Sequence, residues 1–249
     1  MVGNADDIKL ISFLEAFIEL LTQKKLMDES QKSSLLNSLY ELYSGSQDKP
    51  ILIKKLKETI SDFNIFRMDL SGKSIESANF SNLDLSGCNL SEIHLVGADL
   101  QNIKLNGSDL TNANLTQSNL KNAKFHNAKL SKINLRGAIL MNAEFKNANL
   151  RDSRLGDVKS HRANFFKADL TNALVRGADL SLADFSYANL TGVNFENSDL
   201  TGAIFKHANL KGTDFEGVVN LTLAQLTNAN TDSSTIPPSY LEFGKSSLI

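Results

Sequence analysis

Residues 113–130 read ANLTQ SNLKN AKFHN AKL, and the five-residue rhythm of this stretch decides the fold. The same rhythm runs from Leu70 to Phe215, where every fifth residue is Leu, Phe, Ile or Val at 30 successive positions, which we call centres. Ser160 is the one exception. Neither a helix nor a strand has a period of five, so the pattern predicts a coiled solenoid rather than a globular fold.

The residues around each centre divide into inward and outward positions. Two residues before the centre lies a small residue, most often Ala, as at Ala98 and Ala113. Alternate residues of an extended segment point to the same side, so this small residue and the centre should both face inward. The other three positions are rich in Asn, Asp, Ser, Thr and Gly, which suit corners. We call them the side position, directly before the centre, and the first and second corner positions, directly after it.

The repeats resemble those of the pentapeptide-repeat family, whose motif is A(D/N)LXX. Residues 98–102 (ADLQN), 113–117 (ANLTQ) and 168–172 (ADLTN) match that motif as they stand. The resemblance covers about 150 of the 249 residues, and it implies a right-handed quadrilateral β-helix with four pentapeptides per coil.

A second, longer periodicity independently indicates four repeats per coil. Phe occupies the centres 125, 145, 165, 185 and 205, Phe195 and Phe215 form a second pair, and Asn recurs outside at 82, 102, 122 and 142. Positions four repeats apart should therefore stack, with a Phe column inside and an Asn ladder outside. The 30 centres predict about 7.5 coils, and at about 4.8 Å per coil the rod would be roughly 36 Å long.

The two ends lack the five-residue pattern. Residues 1–63 predict an N-terminal α-helical unit of three helices, the second preceded by the capping pair Asp28 and Gln31 and the third beginning near Pro50. Residues 66–218 form the predicted β-helix. Residues 219–249 predict a C-terminal cap with a short helix over residues 221–229, since an open coil would expose strand edges. The helical unit could cap the other end, bind a partner, or do both.

Composition limits the compartment. Cys88 is the single cysteine and takes a small inward position, so no disulfide can form within the chain, which suits a cytoplasmic protein. The first residues carry no basic segment followed by an apolar run, and no apolar stretch is long enough for a membrane span. We expect a monomer or an end-to-end homodimer, the latter being what the family resemblance implies.

Catalytic and metal-binding patterns are absent from the sequence. The four histidines show no metal-ligand spacing, and no CxxC, HExxH, GxSxG or phosphate-binding loop occurs. Most carboxylates take the side position, where the repeat itself calls for Asx, and His161 is expected on an exposed turn. We therefore expect no catalytic residue, no metal and no cofactor.

Charge is distributed unevenly along the rod. Residues 121–167 hold 11 basic and 3 acidic side chains, between flanking segments in which acidic residues prevail. This basic belt favours a non-enzymatic scaffold that binds a protein partner, an acidic one above others, and gives only weak grounds for nucleic acid. The alternative is a topoisomerase-protecting mimic of DNA, a role the family resemblance implies. Mimicry needs a strongly acidic rod, and the basic belt argues against it.

One wall of the rod stands out, and we call it the Phe wall because the Phe column lies behind it. By the register of the coils its outer surface carries a row of lysines, with two aromatic residues on adjacent coils where Ser, Asn or Gly is usual. Aromatic residues are over-represented at binding hot spots. The Phe wall is therefore the predicted partner-binding site, with Lys104, Lys124, Lys146, Phe166, Lys167, Tyr187 and Lys206 as its residues.

Ser160 marks a predicted weak point. It takes a centre between Leu140 and Leu180 in the register, and no residue is inserted between Leu155 and Phe165. Either the coil bulges outward here, or a hydroxyl group points into a thinned core.

Overall fold

The structure, a computed structural model, describes Ile18 and residues 28–43, 69–76 and 79–241. Helix α1 spans Glu29–Tyr43 and is the second of the three predicted helices. Its start is closed as expected: the Gln31 amide donates to Asp28 Oδ1 at 2.8 Å, and the Asp28 amide donates to Gln31 Oε1 at 2.9 Å. The predicted first and third helices lie outside the described residues, apart from helical Ile18.

A solenoid with four repeats in each coil makes up the rest of the described chain. Single-residue parallel bridges join each side position to the equivalent position of the next coil, from Asp69↔Asn89 through to Asp199↔Val219. Around each centre the backbone bonds in both directions: the Leu110 amide donates to the Lys129 carbonyl at 2.7 Å, and the Asp109 amide donates to the Cys88 carbonyl at 2.9 Å. Because a corner follows every centre, the strands never grow beyond these isolated bridges.

The core is the predicted column of stacked side chains. Phe125, Phe145, Phe165 and Phe185 stack with ring centroids 4.8–4.9 Å apart and planes within 5° of parallel. Phe205 continues the column, with its ring centroid 5.4 Å from that of Phe185. A second column pairs Phe195 with Phe215 at 5.5 Å and meets the first edge to face. The Phe column is thus confirmed, and Cys88 is buried as predicted.

The corners depend on one backbone feature. Every described second corner position has a left-handed φ between 56° and 71°. That conformation suits Gly and Asn, which explains the composition of the repeat. Outside the rod the predicted Asn ladder is present: Asn102 Nδ2 donates to Asn82 Oδ1 at 3.0 Å, and Asn122 and Asn142 continue the chain of bonds.

Ser160 lies inside the core without any bulge. Its neighbour Lys159 keeps both parallel bridges, to Ile139 and to Asp179, and Ser160 is fully buried. Its hydroxyl donates to the Asp179 carbonyl at 3.1 Å, an oxygen that also accepts the Ser160 amide at 2.8 Å. Of the two alternatives, the structure shows the hydroxyl in the core.

The C-terminal segment continues the coil in a modified form. The short helix α2, Leu223–Leu226, lies within the predicted helical stretch 221–229 but is shorter than it, and its Gln225 side chain donates to the Leu200 and Ala203 carbonyls at 2.9 Å. The chain then pairs with the last regular coil through Asn209↔Asn230 and Asp214↔Ile236, so these two steps of the coil are slightly longer than the regular ones.

Candidate functional site

The structure places all seven predicted site residues on the outside of the Phe wall or on the corner that follows it. Lys104 and Lys124 take side positions, Lys146, Phe166 and Lys206 take first corner positions, and Lys167 and Tyr187 take second corner positions. All are exposed or half-buried. The wall nevertheless divides into an N-terminal half, which holds Lys104 and Lys124, and a C-terminal half, which holds the other five residues. The two halves differ in how their charges are paired.

The N-terminal half of the Phe wall is neutralised within the chain. Lys104 Nζ lies 3.3 Å from Asp84 Oδ2, and Lys124 Nζ lies 3.6 Å from Glu144 Oε1. His126 also contacts the Glu144 carboxylate through Nε2. Two of the predicted partner-binding lysines therefore already have a carboxylate next to them.

The C-terminal half carries cations without such partners. Among the residues that the structure describes, Lys146, Lys167 and Lys206 form no ion pair. Lys146 Nζ and Lys167 Nζ instead lie 5.7 Å and 5.4 Å from the centroid of the Phe166 ring. Cation–π contacts of this length contribute about 0.5–1 kcal/mol at exposed sites and leave each ammonium group open to an incoming anion.

A row of rings runs beside these lysines along the rod. The centroids of Phe166 and Tyr187 lie 5.6 Å apart with the rings edge to face, and those of Tyr187 and His207 lie 4.9 Å apart. Tyr187 is 48% exposed. His207 had no role in the sequence-based prediction, although its second corner position, one coil after that of Tyr187, would have placed it in the row.

The backbone singles out the same region. Excluding Gly, Asn and Asp, eight side chains occupy left-handed second corner positions within the described repeats: Glu92, Gln117, Lys132, Arg162, Lys167, Leu182, Tyr187 and His207. Five of the eight, from Arg162 onwards, lie on the two corners that flank the C-terminal half of the Phe wall. A bulky side chain in this conformation costs about 1 kcal/mol or more, and such strain clusters at functional sites.

Three of the eight cations of the basic belt outside the named Phe-wall residues are also paired. Lys129 binds Asp109, Arg136 binds Asp157 and Arg151 binds Asp169, with nitrogen–oxygen distances of 3.1–3.3 Å. These are exposed pairs between neighbouring coils, so each contributes little stability. These pairs reduce the field of the belt. Within the described residues, five belt cations on other parts of the rod also form no ion pair, namely Lys121, Lys132, Arg154, Lys159 and Arg162. The lysines of the Phe wall are therefore set apart by the rings beside them rather than by the lack of an ion pair alone.

The lowered pKa values of three aspartates follow from hydrogen bonds at the corners of the repeat. Partial burial alone would raise the pKa of Asp109 and of Asp169. Hydrogen bonds from Thr111 and Lys129, and from Thr171 and Arg151, outweigh burial and hold each pKa below its usual range. Asp84 follows the same rule with Ser86 and Lys104. These shifts come from corner geometry and do not mark a catalytic carboxylate.

The polar contacts of His161 are those of a corner of the repeat. His161 Nδ1 lies 2.8 Å from Ser181 Oγ, and that hydroxyl donates to Asp179 Oδ1 at 2.6 Å, within an ordinary corner turn on a half-buried surface. In the described part of the chain, no three His, Cys, Asp or Glu side chains are grouped to hold a metal ion. None of the described helices is both long and apolar enough to cross a membrane.

The family is shown by comparison with known sequences. The sequence model described as Pentapeptide repeats matches in 8 copies, within residues 78–157 and 163–217, which is more than half of the 249 residues. The chain belongs to the pentapeptide repeat family. The interruption between the two matched stretches includes Ser160, the one centre that departs from the repeat. A search of curated protein sequences finds no match.

Solved structures of pentapeptide repeat proteins align with this chain. QnrB1, a plasmid-mediated fluoroquinolone resistance protein, shares the fold, with a TM-score of 0.52 at 18% identity over 72% of this chain and 87% of its own. HetL from the cyanobacterium Nostoc, involved in the regulation of heterocyst differentiation, aligns at 21% identity over 70% and 93%, with a TM-score of 0.38. A thylakoid-lumen protein from Arabidopsis thaliana is 40% identical over 40% of this chain and 74% of its own, with a TM-score of 0.32.

Proposed function

We propose that this pentapeptide repeat protein is a non-enzymatic interaction module that docks an acidic, partly apolar surface of a protein partner on the C-terminal half of the Phe wall. The observation that carries the proposal is the row of Phe166, Tyr187 and His207 beside lysines that lack a carboxylate partner in the described chain.

Charge complementarity selects the partner. Lys146, Lys167 and Lys206 would receive carboxylates from the partner, whereas Lys104 and Lys124 are occupied by Asp84 and Glu144. The rings supply rigid, partly exposed apolar area beside the cations, which is the composition of interface hot spots. The proposed site is therefore narrower than the whole wall predicted from the sequence.

A DNA-mimic role fits this surface poorly. The likeness to QnrB1 concerns the fold, and a mimic must present anions where DNA presents phosphates. Residues 121–167 instead carry 11 basic and 3 acidic side chains, and the Phe wall adds exposed lysines and rings. A cationic wall of this kind complements an acidic partner.

The test is a pull-down from lysate of the source cells with the full chain and two double variants. Phe166→Ser with Tyr187→Ser removes the rings, and Lys146→Glu with Lys167→Glu reverses the charge. Neither double change touches the core, so thermal stability should stay close to that of the parent protein. The matched control is Lys132→Glu with Arg154→Glu, which alters two belt cations on other walls.

The proposal predicts that both Phe-wall variants lose the same retained protein, at least tenfold by quantitative mass spectrometry, while the control retains it. The proposal is overturned if both Phe-wall variants still retain the same partner protein while their own thermal stability is unaltered. It is also overturned if a single-stranded oligonucleotide binds the parent chain and that binding is what the two variants lose.

A further inference from the structure

The opposite edge of the Phe wall carries an apolar pair that the proposed function does not use. Leu182 is the second corner residue that precedes the wall, and Ile204 is the wall's side-position residue on the next coil. They are 43% and 48% exposed. In earlier coils the place of Leu182 is held by the Asn ladder and then by Arg162, and the place of Ile204 by charged residues or Asn. Leu223 of helix α2, 51% exposed, follows on the last coil.

Leu182 is accommodated by its neighbour on the next coil. Its φ of 58° is left-handed, a conformation that disfavours Leu. Its side chain reaches over Gly202, where an added Cβ would lie 2.7 Å from Leu182 Cδ2. The apolar side chain is therefore seated on a glycine and directed toward the coil of Ile204, although Asn would suit the backbone better.

The two edges of the wall have different chemistry. Leu182 and Ile204 present apolar side chains, with Arg162 one coil before Leu182, whereas the edge at Phe166 and Tyr187 is aromatic and lined by lysines. Asp184 holds the side position directly before Ile204 along the rod and is bridged to it, and its carboxylate accepts the Ser186 amide at 2.9 Å. A carboxylate of a partner would be repelled by Asp184 toward the lysines, while apolar groups of the partner could cover the exposed side chains of Leu182 and Ile204.

We propose that the occupant of the Phe wall is an acidic amphipathic segment of a protein partner. Its apolar side would cover Leu182 and Ile204, and its carboxylates would meet Lys146, Lys167 and Lys206 on the opposite edge. The inference rests on the proposed function and adds both the second edge of the site and the two-sided chemistry of the partner.

The test uses peptides selected on the intact protein. A random peptide library displayed on phage is selected against the full chain, and the best binders are synthesised and measured by fluorescence anisotropy. Three double variants are compared with the parent: Leu182→Asn with Ile204→Asn, Lys146→Glu with Lys167→Glu, and Leu174→Asn with Val219→Asn. The last pair is the matched control, because Leu174 and Val219 are equally exposed apolar residues on other walls.

The inference predicts that selected peptides are enriched in Asp and Glu together with apolar residues. Their affinity should fall at least tenfold in the Leu182/Ile204 variant, fall in the lysine variant, and stay within twofold in the control. Loss of affinity in the lysine variant alone would overturn the inference and leave the proposed function standing. Binders that respond to neither variant, or a selection without acidic binders, would overturn both.

Discussion

At the scale of single residues, Ser160 shows how strictly the repeat geometry is kept. The coil retains both neighbouring bridges although a side chain too short to fill the place of a Leu stands at this centre. The core is therefore locally thin, and the missing volume is not relieved by a shift of the backbone.

Ser160→Leu should raise the free energy of unfolding by about 1–2 kcal/mol, since it restores the buried apolar volume of the column. The lost hydroxyl bond costs little, because the Asp179 carbonyl still accepts the Ser160 backbone amide. Urea denaturation of the parent and the variant measures the change. Ser160→Ala is the control: it removes the hydroxyl without filling the space and should not stabilise. A Leu variant less stable than the parent would show that the coil cannot take the side chain.

The residue scale also shows where sequence reasoning succeeded. The Phe column, the Asn ladder and the burial of Cys88 all follow from period and register, because every coil repeats the same backbone. The ion pairs of Lys104 and Lys124 could not be predicted from the register of the coils, because they depend on side-chain rotamers that bring a cation to a carboxylate. Leu182 and Ile204 were missed although the register placed them beside the wall, because single apolar residues on a surface are common.

At the scale of the elements, the corners combine a turn with a link between coils. In Asp109 and Asp169 one oxygen accepts the amide two residues on, and the other faces a Lys or Arg of a neighbouring coil. Asp109 thus ties its own corner to the following coil, and Asp169 ties its corner to the preceding one.

These aspartates should make the rod sensitive to acid. Burial opposes their ionisation, but hydrogen bonds from the corner residue and from the basic residue hold the pKa of each below the ordinary 3.8 in the folded state. The stabilisation is therefore full above that pH and is lost as pH falls through the lower folded-state pKa. The unfolding free energy, measured from pH 6 down to about pH 2, should decline below about pH 3.8. The decline should be less steep in the Asp169→Asn variant. An Asp169→Asn variant with an unchanged pH profile would contradict this account.

At the scale of the whole molecule, the described C-terminal segment continues the rod beyond its last regular coil. At the C-terminal end the segment after Val219 pairs with the last regular coil through Asn230 and Ile236, and Thr235 Oγ1 donates to the Leu210 carbonyl at 2.9 Å. Of the predicted unit 1–63, the structure describes only Ile18 and helix α1. The helical spacing of its apolar residues could be recognised from the sequence, but no repeat fixes how its helices pack.

Removal of residues 219–249 should make the protein associate edge to edge. The truncation would free the backbone groups of the last coil and expose the Phe215 layer, which is fully buried in the intact chain. Light scattering and sedimentation measure the size of the product. Removal of residues 242–249 alone is the control, because it keeps every described contact with the last coil and should leave the size unchanged. If the chain without residues 219–249 is monodisperse and has the same association state as the parent protein, the capping role is refuted.

Recognition of a partner by the C-terminal half of the Phe wall is the main proposal for this protein. Site-specific photo-crosslinking in the source cells tests it most directly, with a photoreactive phenylalanine placed at Tyr187 in one version of the full chain and at Leu174 in another. Both sites are 48% exposed, but they lie on different walls. We expect a single crosslinked protein from position 187, attached within an acidic and partly apolar segment, and none from position 174. The claim would be contradicted by equal crosslinking from both positions, or by none from position 187.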